Sequence, residues 1–139
     1  EAVAQGIRVA EFPTTMTAAR ASNAAGLSVL MGAPNVVRGG SHSGNVAAET
    51  LAREGVLDIL SSDYVPASLL MGAFELARRI DAMSLAHAVR TITLHPARAT
   101  GLNDRGALVA GLRADLVRVH MAGDVPVVRE AMRGGRRVA

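Results

Sequence analysis

The 139-residue sequence contains no cysteine, no tryptophan and no lysine. Without cysteine there is neither a disulfide framework nor a thiolate to act as nucleophile or metal ligand, and a reducing compartment suits such a chain. Aromatic residues are almost as scarce: Phe12, Phe74 and Tyr64 are the whole set, too few to stack on a run of bases. The fifteen basic residues are therefore all arginine, and twelve acids reduce the formal charge to +3. They are scattered, with only Arg78-Arg79 and Arg136-Arg137 adjacent. No nucleic-acid partner is expected, whereas a small phosphorylated ligand is compatible with arginine's planar fork. No apolar run approaches the roughly eighteen residues of a membrane span, and residues 1–15 lack the basic-then-apolar order of a secretory leader. The expectation is a soluble cytoplasmic protein with no membrane partner.

Half of the residues are apolar, which at this length suffices for a core of its own. Residue 1 is Glu rather than Met, and "EAVAQGIRVAEF" reads as the tail of a helix running straight into a strand. That start leads us to expect a part of a longer chain.

The pattern alternates after that. "IRVAEF" (7–12) suits a buried parallel strand. "TTMTAARASNAAG" (14–26) reads as a helix with a Thr cap and Gly26 as its stop, and "LSVLMGA" (27–33) as a second buried strand. "PNVVRGGSHSGN" (34–45) is expected to be a loop, too glycine-rich for a mere connector. Asn45 is expected to cap a helix over 46–55 that Gly55 ends. "VLDILSSD" (56–63) predicts a third strand, Pro66 the first turn of a helix over 66–80, and "SLAHAVRTITL" (84–94) a further helix. This order predicts an α/β fold with parallel strands and crossover helices. Beyond His95-Pro96 the texture turns to short β-rich pieces over 106–121 and 125–139. A boundary is expected near residues 100 to 106, between an α/β part (1–105) and a small β part (106–139).

In parallel α/β folds, functional groups collect at the carboxyl ends of strands. Glu11, the 34–45 loop and Asp63 occupy three successive strand ends. Read from the residues alone, Asp63 in "DILSSDYVP" has two possible roles. It is either the acceptor of an Asx turn before the Pro66 helix, or a hard ligand for a divalent ion that also takes a proton from bound water. The "RGGSHSGN" stretch offers glycine amides, the hydroxyls of Ser41 and Ser43 and the guanidinium of Arg38. Those are the parts of a phosphate cradle at a helix amino end, although a flexible surface loop has the same composition. It is not a Walker loop, because lysine and spacing are both missing. Glu11 could equally be a satisfied polar group. His87 and His95 read as packing or structural histidines, His120 as a strand position, and no His-x-His or HExxH pair occurs.

Four stretches together resemble a known family: "AEFPTT", "MGAPNVVRGGSHSGN", "LDILSSDYVPASLL" and "TLHPARATGLNDRGALVAGLRADLV". They are similar to the carboxy-terminal part of the amidohydrolase-superfamily diphosphatases of phosphonate catabolism. The resemblance implies a metal-dependent (β/α)8 TIM-like barrel, of which 1–105 would be the last three βα units. Residues 106–139 would be one share of a small composite β-sandwich. It places Asp63 on the strand-eight aspartate that touches a divalent metal of the zinc or manganese class and serves as general base. Arg38, Ser41 and His42 become the candidates for holding a ribose triphosphate, which is hydrolysed with release of pyrophosphate. Glu11 falls where many members have a strand-six histidine, and so stands as a second candidate ligand. The other ligands of the family precede anything present here, so the chain alone is expected to be inactive and to need the missing amino-terminal half or a second copy. The competing expectations are a non-catalytic module that associates through its open sheet edge, and part of a dihydroorotase-like enzyme.

Overall fold

The computed structural model describes residues 3–41 and 43–139. Within the amino-terminal stretch read as a helix tail, the described residues form a 3-10 turn, Val3–Gln5. Three strands follow in alternation with helices: β1 (Val9–Glu11), α1 (Met16–Ala24), β2 (Ser28–Gly32), α2 (Ala33–Arg38), α3 (Ala48–Arg53), β3 (Ile59–Ser61) and α4 (Ser68–Arg79). The strands form one parallel sheet in the order β1-β2-β3, with Glu11 opposite Leu30 and Gly32 opposite Ser61. Consecutive parallel neighbours joined by helices are the α/β arrangement that the alternating pattern predicts.

Local chemistry explains the element ends. Thr15 accepts the N–H of Ala18 at 3.1 Å and starts α1. The chain leaves α1 through Gly26, at φ +83, while the Leu27 N–H returns to the Ser22 carbonyl. Two expectations are corrected here. Residues 34–38 are not loop but helix: Pro34 sits in the first turn of α2, and Gly39, left-handed at φ +87, terminates it. Asn45 does not cap α3. That cap comes from across the fold, where Asn35 Oδ1 accepts the Ala48 N–H at 2.9 Å. Sequence pattern cannot show a cap supplied by another element.

The core lies on one side of the parallel sheet. Val29 and Met31 of β2 and Leu60 of β3 pack with Val36, Leu51 and Leu76 from the three helices that follow. Helices α2 and α4 approach closely because position 72 has no side chain; a Cβ there would stand 3.0 Å from that of Ala33. Arg79 adds a polar tie, donating to the Val36 carbonyl at 2.8 Å and pairing with Glu75 and Glu49.

The helix expected over 84–94 is split. α5 (Leu85–Arg90) ends, and α6 (Leu94–Ala99) begins anew with Pro96 in its first turn. His95 therefore lies within a helix rather than at a segment end. Its Nδ1 donates to the Asp58 carbonyl at 2.8 Å, since a carbonyl can only accept. At that amino-terminal end of the sheet, Asp58 Oδ2 also accepts the Val29 N–H at 2.8 Å, tying β3 to β2. His87 and His120 are exposed.

Residues 106–115, expected to open the β part, carry no strand. β4 (Leu116–Ala122), β5 (Val125–Arg133) and β6 (Arg136–Arg137) form a separate antiparallel sheet. Gly123-Asp124 make its tight first turn, and a register shift interrupts β4 between Arg118 and Val119. Among the described residues none beyond Ala97 is buried, and Leu108, Val109, Val117 and Val128 are exposed.

Among the described residues four carboxylates are held below their ordinary pKa: Glu75 chiefly by the hydrogen bond from Arg78, Glu49 chiefly by that from Arg53, Asp104 chiefly by that from Arg105, and Asp115 chiefly by the N–H of Gly134. A folded-state pKa below the unfolded value adds stability only above the unfolded value. That contribution is lost as pH falls through the lowered one. The urea midpoint is therefore expected to stay level from about pH 7 to 5.5 and to fall progressively below about pH 4.5. A midpoint unchanged down to about pH 3 would contradict these pairings.

Candidate functional site

The carboxyl ends of the three parallel strands open into one cleft. Its wall includes Phe12 just after β1, Gly32 at the end of β2, Arg38 and Ser41 from α2 and the following loop, and Asp63 and Tyr64 just after β3. The strands deliver the chain to the same side because they are parallel and in register. The turns that follow aim the side chains.

Two of those turns are strained. Phe12, at φ +51, and Asp63, at φ +50, are the non-glycine residues with left-handed backbone among the described residues. Asp tolerates that conformation better than most residues, while for a bulky Phe it is a true outlier. Such strain persists only where the surroundings impose it, and here both instances border one cleft.

Asp63 makes no Asx turn. Its carboxylate accepts no hydrogen bond among the described residues. The turn before α4 is held instead by backbone, with the Val65 N–H donating to the Ser62 carbonyl at 3.0 Å, and by the Ser68 hydroxyl donating to the Val65 carbonyl at 2.7 Å. The structural role that the residues alone allowed for this carboxylate is thus taken by other groups.

Arg38 is aimed by Tyr64: its Nη2 donates to the Tyr64 hydroxyl oxygen at 2.7 Å, spanning from the end of α2 to the turn after β3. Ser41 Oγ accepts the Ser43 N–H at 3.1 Å, which folds the loop over and leaves the hydroxyl's own proton to donate elsewhere. The structure brings Asp63, Arg38 and Ser41 together. Glu11 lies exposed at the same end of the sheet, but does not line the cleft. His42 lies outside the described residues.

Two of the amides near the amino end of the 46–55 helix, where an anion cradle is expected, have partners of their own. The Val46 N–H donates to the Thr14 carbonyl and the Ala48 N–H to Asn35, so these amides are already engaged. An anion in this cleft would meet Arg38 and the loop hydroxyls instead. A metal fares differently. Among the described residues no group of three or more histidines, cysteines, aspartates or glutamates could hold an ion. Among the described residues no helix is long and apolar enough to cross a membrane.

Three cleft residues escape a reading by residue type. Tyr64 carries a weak signal, being the sole tyrosine and next to the candidate carboxylate. Phe12 and Gly32 carry none, because what they do depends on backbone angle and on distance across strands.

Comparison with known proteins gives similarities of three kinds. A family model described as "Amidohydrolase family" matches residues 3–139. The α-D-ribose 1-methylphosphonate 5-triphosphate diphosphatase of Escherichia coli (strain K12) is 54% identical over 134 residues, which is 96% of this chain and 35% of that protein. Among solved structures, the N-isopropylammelide isopropylaminohydrolase from Burkholderia multivorans ATCC 17616 overlays with a TM-score of 0.55 at 22% identity, over 88% of this chain and 34% of that one. An amidohydrolase from Thermotoga maritima MSB8 overlays at 0.58 and 16% identity, over 94% of this chain and 43% of that one. At such identities the structures speak to fold alone. The chain spans about a third of the length of the E. coli relative.

Proposed function

Because the chain belongs to the amidohydrolase family, we propose that it is the carboxy-terminal part of a cytoplasmic, metal-dependent hydrolase that releases pyrophosphate from α-D-ribose 1-methylphosphonate 5-triphosphate. One observation carries this reading. In a single cleft at the ends of three parallel strands, a strained aspartate with no hydrogen bond to its carboxylate among the described residues shares the wall with an arginine whose guanidinium is held by the Tyr64 hydroxyl. The diphosphatase named among the relatives supplies the substrate class. In this proposal residues 1–105 are the last three βα units of a (β/α)8 barrel, and 106–139 are part of a composite sandwich. Three strands cannot close a barrel, and a sheet without a buried residue has faces still to cover.

In the reaction, water attacks the phosphorus nearest the ribose, its proton goes to Asp63, and the bond to the departing pyrophosphate breaks. Arg38 neutralises charge on the phosphate oxygens, and the Ser41 hydroxyl donates to another. His42 is proposed as a further phosphate contact, and Glu11 as a second carboxylate at the metal end. A divalent cation of the zinc or manganese class would supply charge neutralisation and a more acidic water, with Asp63 as the ligand given by this chain.

Substrate choice tests the proposal. The complete enzyme is expected to release pyrophosphate from the ribose triphosphate and to leave a dihydroorotate-type cyclic amide intact; ring opening without pyrophosphate release would favour the dihydroorotase-like alternative. Removing the Tyr64 hydroxyl (Tyr64→Phe) takes away one hold on Arg38 without removing its charge, so KM is expected to rise about 3- to 10-fold with kcat little changed. An unaltered KM would exclude Tyr64 as the anchor. The exposed apolar residues of β4 and β5 favour association as well. Chain 1–139 alone is expected to self-associate in size-exclusion chromatography with light scattering and to release no pyrophosphate, and a well-behaved monomer would argue against unfilled sheet faces.

A further inference from the structure

Gly32 ends β2 with φ −75 and ψ 130, backbone that any residue adopts. Conformation does not ask for a glycine there, but space does. A Cβ at position 32 would stand 2.9 Å from Asp63 Oδ2 and 3.3 Å from Asp63 Cβ, and the nearest atoms it would meet all belong to Asp63. Asp63 in turn has left-handed backbone and a carboxylate that no hydrogen bond holds among the described residues. Polar contacts therefore do not fix where that carboxylate lies. The turn after β3 and the bare Cα of residue 32 do.

The geometry points to Gly32 as a positioning residue for the reaction: its missing side chain sets the place of the Asp63 carboxylate in the cleft. This rests on the reading of Asp63 as the base. An alanine would drive the carboxylate back by about half an ångström to reach ordinary contact, or turn it to another rotamer. Displacements of that order at a reacting group cost about 10- to 100-fold in rate.

The test compares Gly32→Ala, Asp63→Ala and the double variant in the complete enzyme, with Asp63→Asn beside them. Gly32→Ala is expected to lower kcat about 10- to 100-fold with KM within about twofold, because the phosphate contacts of Arg38 and Ser41 are untouched. Its thermal midpoint should fall in the Asp63 background. In the Asp63→Ala background the same substitution should leave the midpoint level or raise it, since alanine at an ordinary φ restricts the unfolded chain. Should Gly32→Ala fail to fold, recovery of folding in the double variant supports the contact, and failure of both overturns it. Equal midpoint shifts in the two backgrounds also overturn it, as does an unchanged kcat in Gly32→Ala while Asp63→Asn is inactive. Wild-type turnover by Asp63→Asn would instead strike the underlying assignment of the base, and the midpoint comparison would still report on the contact itself.

Discussion

Asp63→Asn in the complete enzyme is expected to lower pyrophosphate release by about three orders of magnitude or more, with the fold left intact. The size follows from removing a general base, worth about 10²- to 10⁴-fold by itself, together with a hard anionic ligand. The preserved fold follows from the structure. The carboxylate accepts no hydrogen bond among the described residues, so no partner is orphaned by an amide. The residue sits at φ +50, a region asparagine tolerates at least as well as aspartate. Asparagine also keeps the shape that fits against Gly32. The measurements are steady-state release of pyrophosphate and the thermal midpoint. An unchanged midpoint with lost turnover supports a chemical role, turnover at the wild-type level removes Asp63 from the mechanism, and a large fall in midpoint would assign it a structural one.

The second large effect concerns stability. Leu76→Ala is expected to destabilise the protein by about 3 kcal/mol, as fully buried leucines do when truncated. Leu76 is completely inaccessible and belongs to the cluster formed by β2, β3 and the helices α2 to α4. The gap is hard to close by collapse, because Gly72 already brings α4 against Ala33 and Arg79 ties the same helix to the Val36 carbonyl. As a control, Leu108→Ala at a position 87% exposed should change stability by less than about 0.5 kcal/mol. Urea unfolding of both variants checks the pair: equal small shifts would mean that α4 is not packed as described. Because α2 also carries Arg38 at its carboxyl end, a loosened α4 should raise KM before it affects kcat.

Much of this was legible in the residues, and what was legible was local. Thr15 and Gly26 bracket α1 as expected, since cap and stop act within a few residues of themselves. The alternation of apolar runs with alanine-rich stretches predicts parallel strands, and the register bears it out. The 34–38 segment misled because "RGGSHSGN" dominates its composition, while Pro34 and the Gly39 stop enclose a helix of a few residues that has little periodicity to display. The cap of α3 misled for another reason. Asn45 is adjacent in sequence, but Asn35 wins because α2 places it over the Ala48 amide. Of the residues that line the cleft, Asp63, Arg38 and Ser41 were legible as polar groups following strand ends.

What could be read from the residues is the alternation that makes the sheet parallel, most of its helices and strands, the polar strand ends and the family to which the chain belongs. All of these depend on neighbours in the chain or on patterns repeated along it. It took the folded chain to show that Asp63 rests against Gly32, that Tyr64 holds Arg38, that Glu11 stays outside the cleft, and that the strain at Phe12 and Asp63 meets in one place. Each of those joins residues far apart in the chain, through distances and backbone angles that come into being only when separate strands are set side by side.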